Sequence, residues 1–137
     1  MKDLPPVILV DTSAVLALFD PTDQFHTQAK ESYAELLKNH VPLVMTNFFM
    51  AETYTIISIR KGPSKAHEFL TLARQEFSIE RTAPEDETKA ETILSHTTRS
   101  RNFSYFDVVS AQAAKRLGIH WIFTFDKDFH SLGLNIF

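Results

Sequence analysis

Apolar residues recur along the chain with two different periods. Short continuous runs, VILV at 7–10, PLVMT at 42–46, FSIER at 77–81 and WIFTF at 121–125, have the length and the β-branched or aromatic content of strands. Between them the apolar positions return every three to four residues, which predicts helices over 12–19, 23–39, 47–61, 64–75, 84–97 and 104–117. Pro84 stands at a first helical position and Gly118 where a helix C-terminus favours glycine. Strands alternating with helices imply parallel strands joined by crossover helices, an α/β sandwich. The tail LGLNIF offers a fifth strand at an edge.

Polar residues interrupt this pattern at a few telling places. In VILVDTSAVLALFD the first apolar run stops on Asp11 and turns at once into a helix. WIFTF ends in the same way on Asp126, so two strands deliver an aspartate to one rim of the sheet. In α/β sheets that rim, beyond the carboxyl ends of the strands, is where ligands bind. In TNFFMAETYTIISIRK, Glu52 has Phe48 and Phe49 three and four positions before it and Ile56 and Ile59 four and seven after. A mid-helix glutamate is ordinarily a solvated charge, but one on an apolar face must be paired, protonated or bound to metal. Asp107, in SYFDVVSAQAAKRLG, shares a helix face with Ser110, Ala111 and Ala114 and points over the same rim. Each aspartate also has an ordinary explanation. Asp11 and Asp107 fit helix caps, Asp107 with Ser104 as a capping box, and Asp126 fits a turn in FDKDF.

Composition narrows the chemistry. The 137 residues, 44% of them hydrophobic, suit one domain spanning 1–137 with one core. A formal charge of −3 gives no global attraction to nucleic acid or anionic lipid, so a polyanion would be held by local patches or metal. With no cysteine there is no thiolate nucleophile and no cysteine-based zinc site, which suits a reducing cytosol. MKDLPP has no signal-peptide pattern and no segment approaches membrane-spanning length, so a cytoplasmic protein without membrane contact is expected. Four elements each send one acid to one edge, with no basic residue at those positions. Hard oxygen donors without Cys or His select Mg²⁺ or Mn²⁺, and such ions are the usual apparatus for in-line attack of water on a phosphodiester.

At these residues the sequence resembles the PIN-domain ribonucleases, which include the VapC-type toxins of prokaryotic toxin–antitoxin pairs. The resemblance runs through VILVDTSAVLALFD, MTNFFMAETYTIISIRKG, FSYFDVVSAQAAKRLGI and IFTFDKDFHSLGL, nearly the whole chain. It implies a three-layer α/β/α sandwich whose mostly parallel sheet of four to five strands is ordered 3-2-1-4-5. It also implies metal-dependent endonucleolytic cleavage of RNA, leaving a 5′-phosphate and a 3′-hydroxyl. Carried over by position, Asp11, Glu52 and Asp107 match the first three acids and Asp126 the fourth; all four are expected to be catalytic and to hold Mg²⁺ or Mn²⁺. Ser13 matches a supporting hydroxyl and Thr124 the threonine before the fourth acid. Val108 departs from an alanine common after the third acid, which concerns packing more than chemistry.

Substrate contact calls for positive charge beside the acids. Arg99 and Arg101 in TTRSRNFS are the nearest candidates, with Arg60, Lys61 and Lys127 at other loop ends. His26 and His130 read as surface residues, and PEDETKAE as acids favouring a helix N-terminus. Most of the twelve phenylalanines should build core, some near 25–37 or 48–57 forming a homodimer or antitoxin surface. Two alternatives stand beside a nuclease. A haloacid-dehalogenase-like phosphatase needs a second aspartate where this chain has Ser13, and a non-catalytic RNA-binding or regulatory PIN-fold protein would be expected to lack an acid.

Overall fold

The computed structural model describes residues 3–96 and 102–137. Arg99 and Arg101 therefore lie outside the described residues. Strands form at β1 (Ile8–Val10), β2 (Leu43–Thr46), β3 (Ser78–Glu80), β4 (Trp121–Phe123) and β5 (Asn135–Ile136). All pair in parallel, in the order β3-β2-β1-β4-β5. The sequence-based order 3-2-1-4-5 is the observed one, and LGLNIF does supply the edge strand.

Helices flank this sheet: α1 (Thr12–Phe19), α2 (His26–Lys38), α3 (Asn47–Lys61), α4 (Pro63–Glu76), α5 (Pro84–Ser95) and α6 (Tyr105–Arg116). β1 and β2 are buried at every position, as central parallel strands covered on both faces must be, whereas edge strand β3 is partly exposed. The apolar faces of the helices meet in pairs, α1 with α2 and α3, α3 with α4, and α5 with α6. Pro63 and Pro84 both occupy first-turn positions. Gly118 follows α6 at φ +74°, where the amides of Gly118 and Ile119 turn back to the carbonyls of Lys115 and Ala114.

Phe49, Phe69, Phe123 and Phe129 are the largest fully buried side chains. The exposed large hydrophobics among the described residues are Leu4, Leu37, Ile59 and Leu117. In the stretches 25–37 and 48–57, Phe49 is fully buried while Phe25 and Phe48 are half-buried. Phe48 meets Tyr105 and Phe106 edge to face. Strand order reverses beside β1, with β2 on one side and β4 on the other. The carboxyl ends of β1 and β4 thus frame the crevice where open α/β sheets hold ligands.

Candidate active site

Register decides the centre of the site. Val10 pairs with Phe123, so the next residues on each strand, Asp11 and Thr124, emerge side by side. Thr124 Oγ1 donates to Asp11 Oδ2 at 2.7 Å, and Ser13 Oγ donates to the same oxygen at 2.7 Å. Each hydroxyl also accepts a backbone N–H from the segment after β4, Ser13 from Phe125 and Thr124 from Asp126. The two hydroxyls thereby lock the carboxylate to the β4 loop and leave Oδ1 facing away from them. Asp11 precedes α1 but makes no side-chain cap hydrogen bond, so the helix-cap explanation of this residue fails.

Asp11 is buried, and burial is the main reason its pKa rises to about 7. The Ser13 and Thr124 hydroxyls pull it back down, while the negative charges of Asp107 and Glu52 push it further up. Glu52 is half-buried on α3. Its pKa is raised, first by desolvation and also by Asp107, against a lowering contact from the Thr12 hydroxyl. Asp107 is half-buried in the first turn of α6 and is raised too, by desolvation first, then by Asp126 and Asp128, with Ser104 opposing. The acids therefore share one electrostatic neighbourhood, and among the described residues no cation is a named cause of these shifts.

Secondary contacts hold the two acid-bearing helices at this rim. Thr46, the last residue of β2, caps α3 by accepting from the Phe49 amide at 3.1 Å, and its hydroxyl lies 2.6 Å from Ser110 Oγ of α6. Thr12 reaches the same helix, donating to the Phe49 carbonyl and accepting from the Thr53 hydroxyl at 2.9 Å. Asp107 is indeed half of a capping box: its Oδ2 accepts from the Ser104 amide and the Ser104 hydroxyl from the Asp107 amide, both at 3.1 Å. The cap and the rim position coexist, because one carboxyl oxygen serves the cap and the other remains. Asp126 likewise caps a short 3-10 turn, Lys127–Leu132, accepting from the Asp128 amide at 2.9 Å.

Other expectations land elsewhere. Ile59 is 79% exposed, so the apolar face around Glu52 ends near Ile56. Lys61 pairs with Asp20 at 3.7 Å and lines, with Leu16, Phe19, Ile57 and Arg60, a separate cavity of about 310 Å³. His26 is half-buried, not a free surface residue, with Nδ1 2.7 Å from the Ala17 carbonyl oxygen. In PEDETKAE, Asp86 is 1% exposed and accepts from Arg116 Nε and Nη2 at 3.0 Å. It ties α5 to α6 and is more than a solvated helix-start acid. Sequence reasoning weighed Asp128 only as the weaker candidate beside Asp126 and missed Thr12, for which the hydroxyl beside Asp11 in DTS was the available signal.

The donor set suits a hard divalent cation: carboxylates of raised pKa, hydroxyls and no nitrogen or sulfur. Among the described residues no three acidic or histidine side chains stand close enough to enclose an ion by themselves. Mg²⁺ usually keeps several waters and takes only one or two carboxylates directly, so this spacing fits a largely hydrated ion.

Residues 8–134 match the PIN domain. The chain belongs to the PIN-domain family. Among PIN-domain relatives, the 23S rRNA-specific endonuclease VapC20 of Mycobacterium tuberculosis is 32% identical over 133 residues, covering 93% of this chain and 95% of that protein. The crystal structure of that VapC20, described as a sarcin–ricin-loop-cleaving toxin, superposes with a TM-score of 0.80 at 26% identity, covering 93% of this chain and 96% of the other. VapBC2 from Rickettsia felis, solved bound to a DNA fragment from its promoter, shares the fold with a TM-score of 0.72 at 14% identity, covering 96% and 97%.

Proposed function

We propose that this PIN-domain protein is a Mg²⁺- or Mn²⁺-dependent endoribonuclease, the toxin of a prokaryotic toxin–antitoxin pair. The observation that carries the reading is the shared field of Asp11, Glu52 and Asp107 at the β1/β4 crevice, each carboxyl raised in pKa by burial and by neighbouring acids. Such a cluster is unfavourable alone and becomes favourable around a divalent ion.

Asp11 and Asp107 would hold the ion, with Glu52 and Asp126 completing its shell directly or through water. When bound, the ion supplies Lewis acidity and activates water for in-line attack on phosphorus. Ser13 and Thr124 keep the Asp11 carboxylate in one orientation, so its free oxygen needs no reorganisation. The Ser104 amide does the same for Asp107. The half-buried walls exclude part of the solvent and strengthen every charge interaction within.

Ribosomal RNA is the substrate class favoured by the 32%-identical relative. A cognate antitoxin is the expected partner, since neighbours of the same fold were solved as VapBC assemblies, and homodimer formation and a cytoplasmic location complete the reading. Purified protein should cut RNA with Mg²⁺ or Mn²⁺ and stop with EDTA, and Asp107→Asn should abolish cleavage. Metal-independent cleavage that survives Asp107→Asn would refute this function.

A further inference from the structure

Beside the carboxylate rim lies a recess of about 230 Å³, walled by Ser13, Leu16, Asp23, Gln24, Phe25, Phe125 and Asp126. Ser13 and Asp126 belong to both places, so the recess opens directly off the acid cluster. Phe25 and Phe125 stack in it, ring centroids 4.6 Å apart and planes within 6°. Both rings are only half-buried, and their backbones are tied down. The Phe25 amide donates to Asp23 Oδ1 at 2.8 Å and the Phe125 amide to Ser13 Oγ at 3.1 Å. The hydroxyl that orients Asp11 therefore also sets the position of this aromatic wall. Gln24 is exposed, and among the described residues its amide has no hydrogen-bond partner.

We propose that this recess binds the base of a nucleotide adjacent to the scissile phosphate, an inference that rests on RNA cleavage at the neighbouring acids. Its volume lies below the range of about 300 Å³ and upward typical of larger ligands, and suits one planar ring system. A strand presented to the acids must place its splayed bases somewhere, and unstacked RNA bases characteristically settle on aromatic side chains. The Phe25–Phe125 wall supplies the stacking surface. The Gln24 amide, one acceptor and two donors, reads the edge of the base. Stacking gives affinity for any base, and the amide gives the preference among them.

The test uses an RNA hairpin of sarcin–ricin-loop sequence and versions carrying one abasic nucleotide at each position flanking the cut. One abasic position should lower kcat/KM about five- to a hundredfold, the worth of one base–aromatic stack. Phe25→Leu should cause a comparable loss on the intact hairpin and little further loss on that abasic hairpin. Gln24→Ala, an exposed change that leaves the fold alone, should alter the preference among the four bases there. Tolerance of every abasic substitution, or a Phe25→Leu loss that persists undiminished on abasic RNA, overturns the proposal. If the wild type cuts no RNA with metal, the ribonuclease reading itself has failed. Quenching of 2-aminopurine in the bound hairpin, present in wild type and absent in Phe25→Leu, then decides the recess alone, and its absence in wild type overturns it.

Discussion

Thr124 Oγ1 lies 2.7 Å from Asp11 Oδ2 although 113 residues separate them, because β1 and β4 are neighbours in a register that brings their last residues together. The bond favours the charged carboxylate and so opposes the burial that raises the Asp11 pKa. Thr124→Val should therefore raise that pKa further. At a fixed, sub-saturating metal concentration the acid limb of the pH–rate profile should move up by about one to two pH units, the worth of one hydrogen bond to a charged group. Thr124→Ser should restore the profile. A lower rate at every pH with an unmoved limb would show that Thr124 acts otherwise.

Asp107 serves both a cap and the rim, and substitutions separate the two. Asp107→Asn keeps an oxygen for the Ser104 amide and removes the charge, so stability should hold while cleavage is lost. Ser104→Ala removes the reciprocal cap and keeps the charge, costing about 0.5–2 kcal/mol of stability. Its cleavage should fall far less than that of Asp107→Asn. Thermal melts beside RNA cleavage read out both, and a Ser104→Ala protein as inactive as Asp107→Asn would mean that Asp107 is only a cap.

Asp126 and Asp128 both raise the Asp107 pKa, Asp126 the more strongly. Asp126 stands nearer the end of β4 and is oriented by the Asp128 amide, a backbone contact that survives substitution of the Asp128 side chain. Asp128→Asn should accordingly cost less activity than Asp126→Asn in the same assay. The reverse ordering would transfer the fourth position to Asp128.

Strands, helices and the rim positions of the acids were legible in the sequence because each depends on local pattern, apolar runs, helical periods and an acid where a run ends, whereas the strand order came from the resemblance to the PIN-domain ribonucleases. Glu52 was legible because Phe48, Phe49 and Ile56 surround it on one helix face. Its neighbour Ile59 was not, since periodicity tells which residues share a face but not where along the helix that face leaves the core. Asp86 was unreadable for a related reason. An acid in the first turn of α5 suits the helix dipole whether solvated or buried, and only the approach of Arg116, thirty residues on, distinguishes the two. The Phe25–Phe125 stack likewise joins residues that no local pattern connects.

Two buried aspartates should give the metal-free protein opposite pH responses. Asp11 has its pKa raised from 3.8 to about 7, so the folded state binds more protons than the unfolded chain between those values. Stability from this group is complete below about pH 4 and falls as pH rises toward about 7, by an amount on the order of 4 kcal/mol as an upper bound. Glu52 and Asp107 are shifted in the same direction and add to the loss. For Asp86, burial pushes upward most strongly, but the hydrogen bonds from Arg116 and the Ala83 amide and the charges of Arg116 and Lys89 together outweigh it, and the pKa falls below its usual 3.8. Its contribution is present above that value and is lost only as pH falls through the lowered pKa. In EDTA the protein should therefore melt highest near pH 4–5 and lower at pH 8. Asp11→Asn should flatten the neutral side of the curve and melt above wild type at pH 8. Mg²⁺ or Mn²⁺ at a thousand times its Kd should reverse that order, since such an excess stabilises the folded state by about 4.1 kcal/mol. Arg116→Ala should act on the other aspartate, lowering stability at neutral pH toward the smaller end of about 3–5 kcal/mol, because the arginine keeps some solvent access. Melts of these proteins across pH, with and without metal, settle the matter: an Asp11→Asn protein that melts below wild type in EDTA at pH 8, with no metal response in either, would make Asp11 a structural residue.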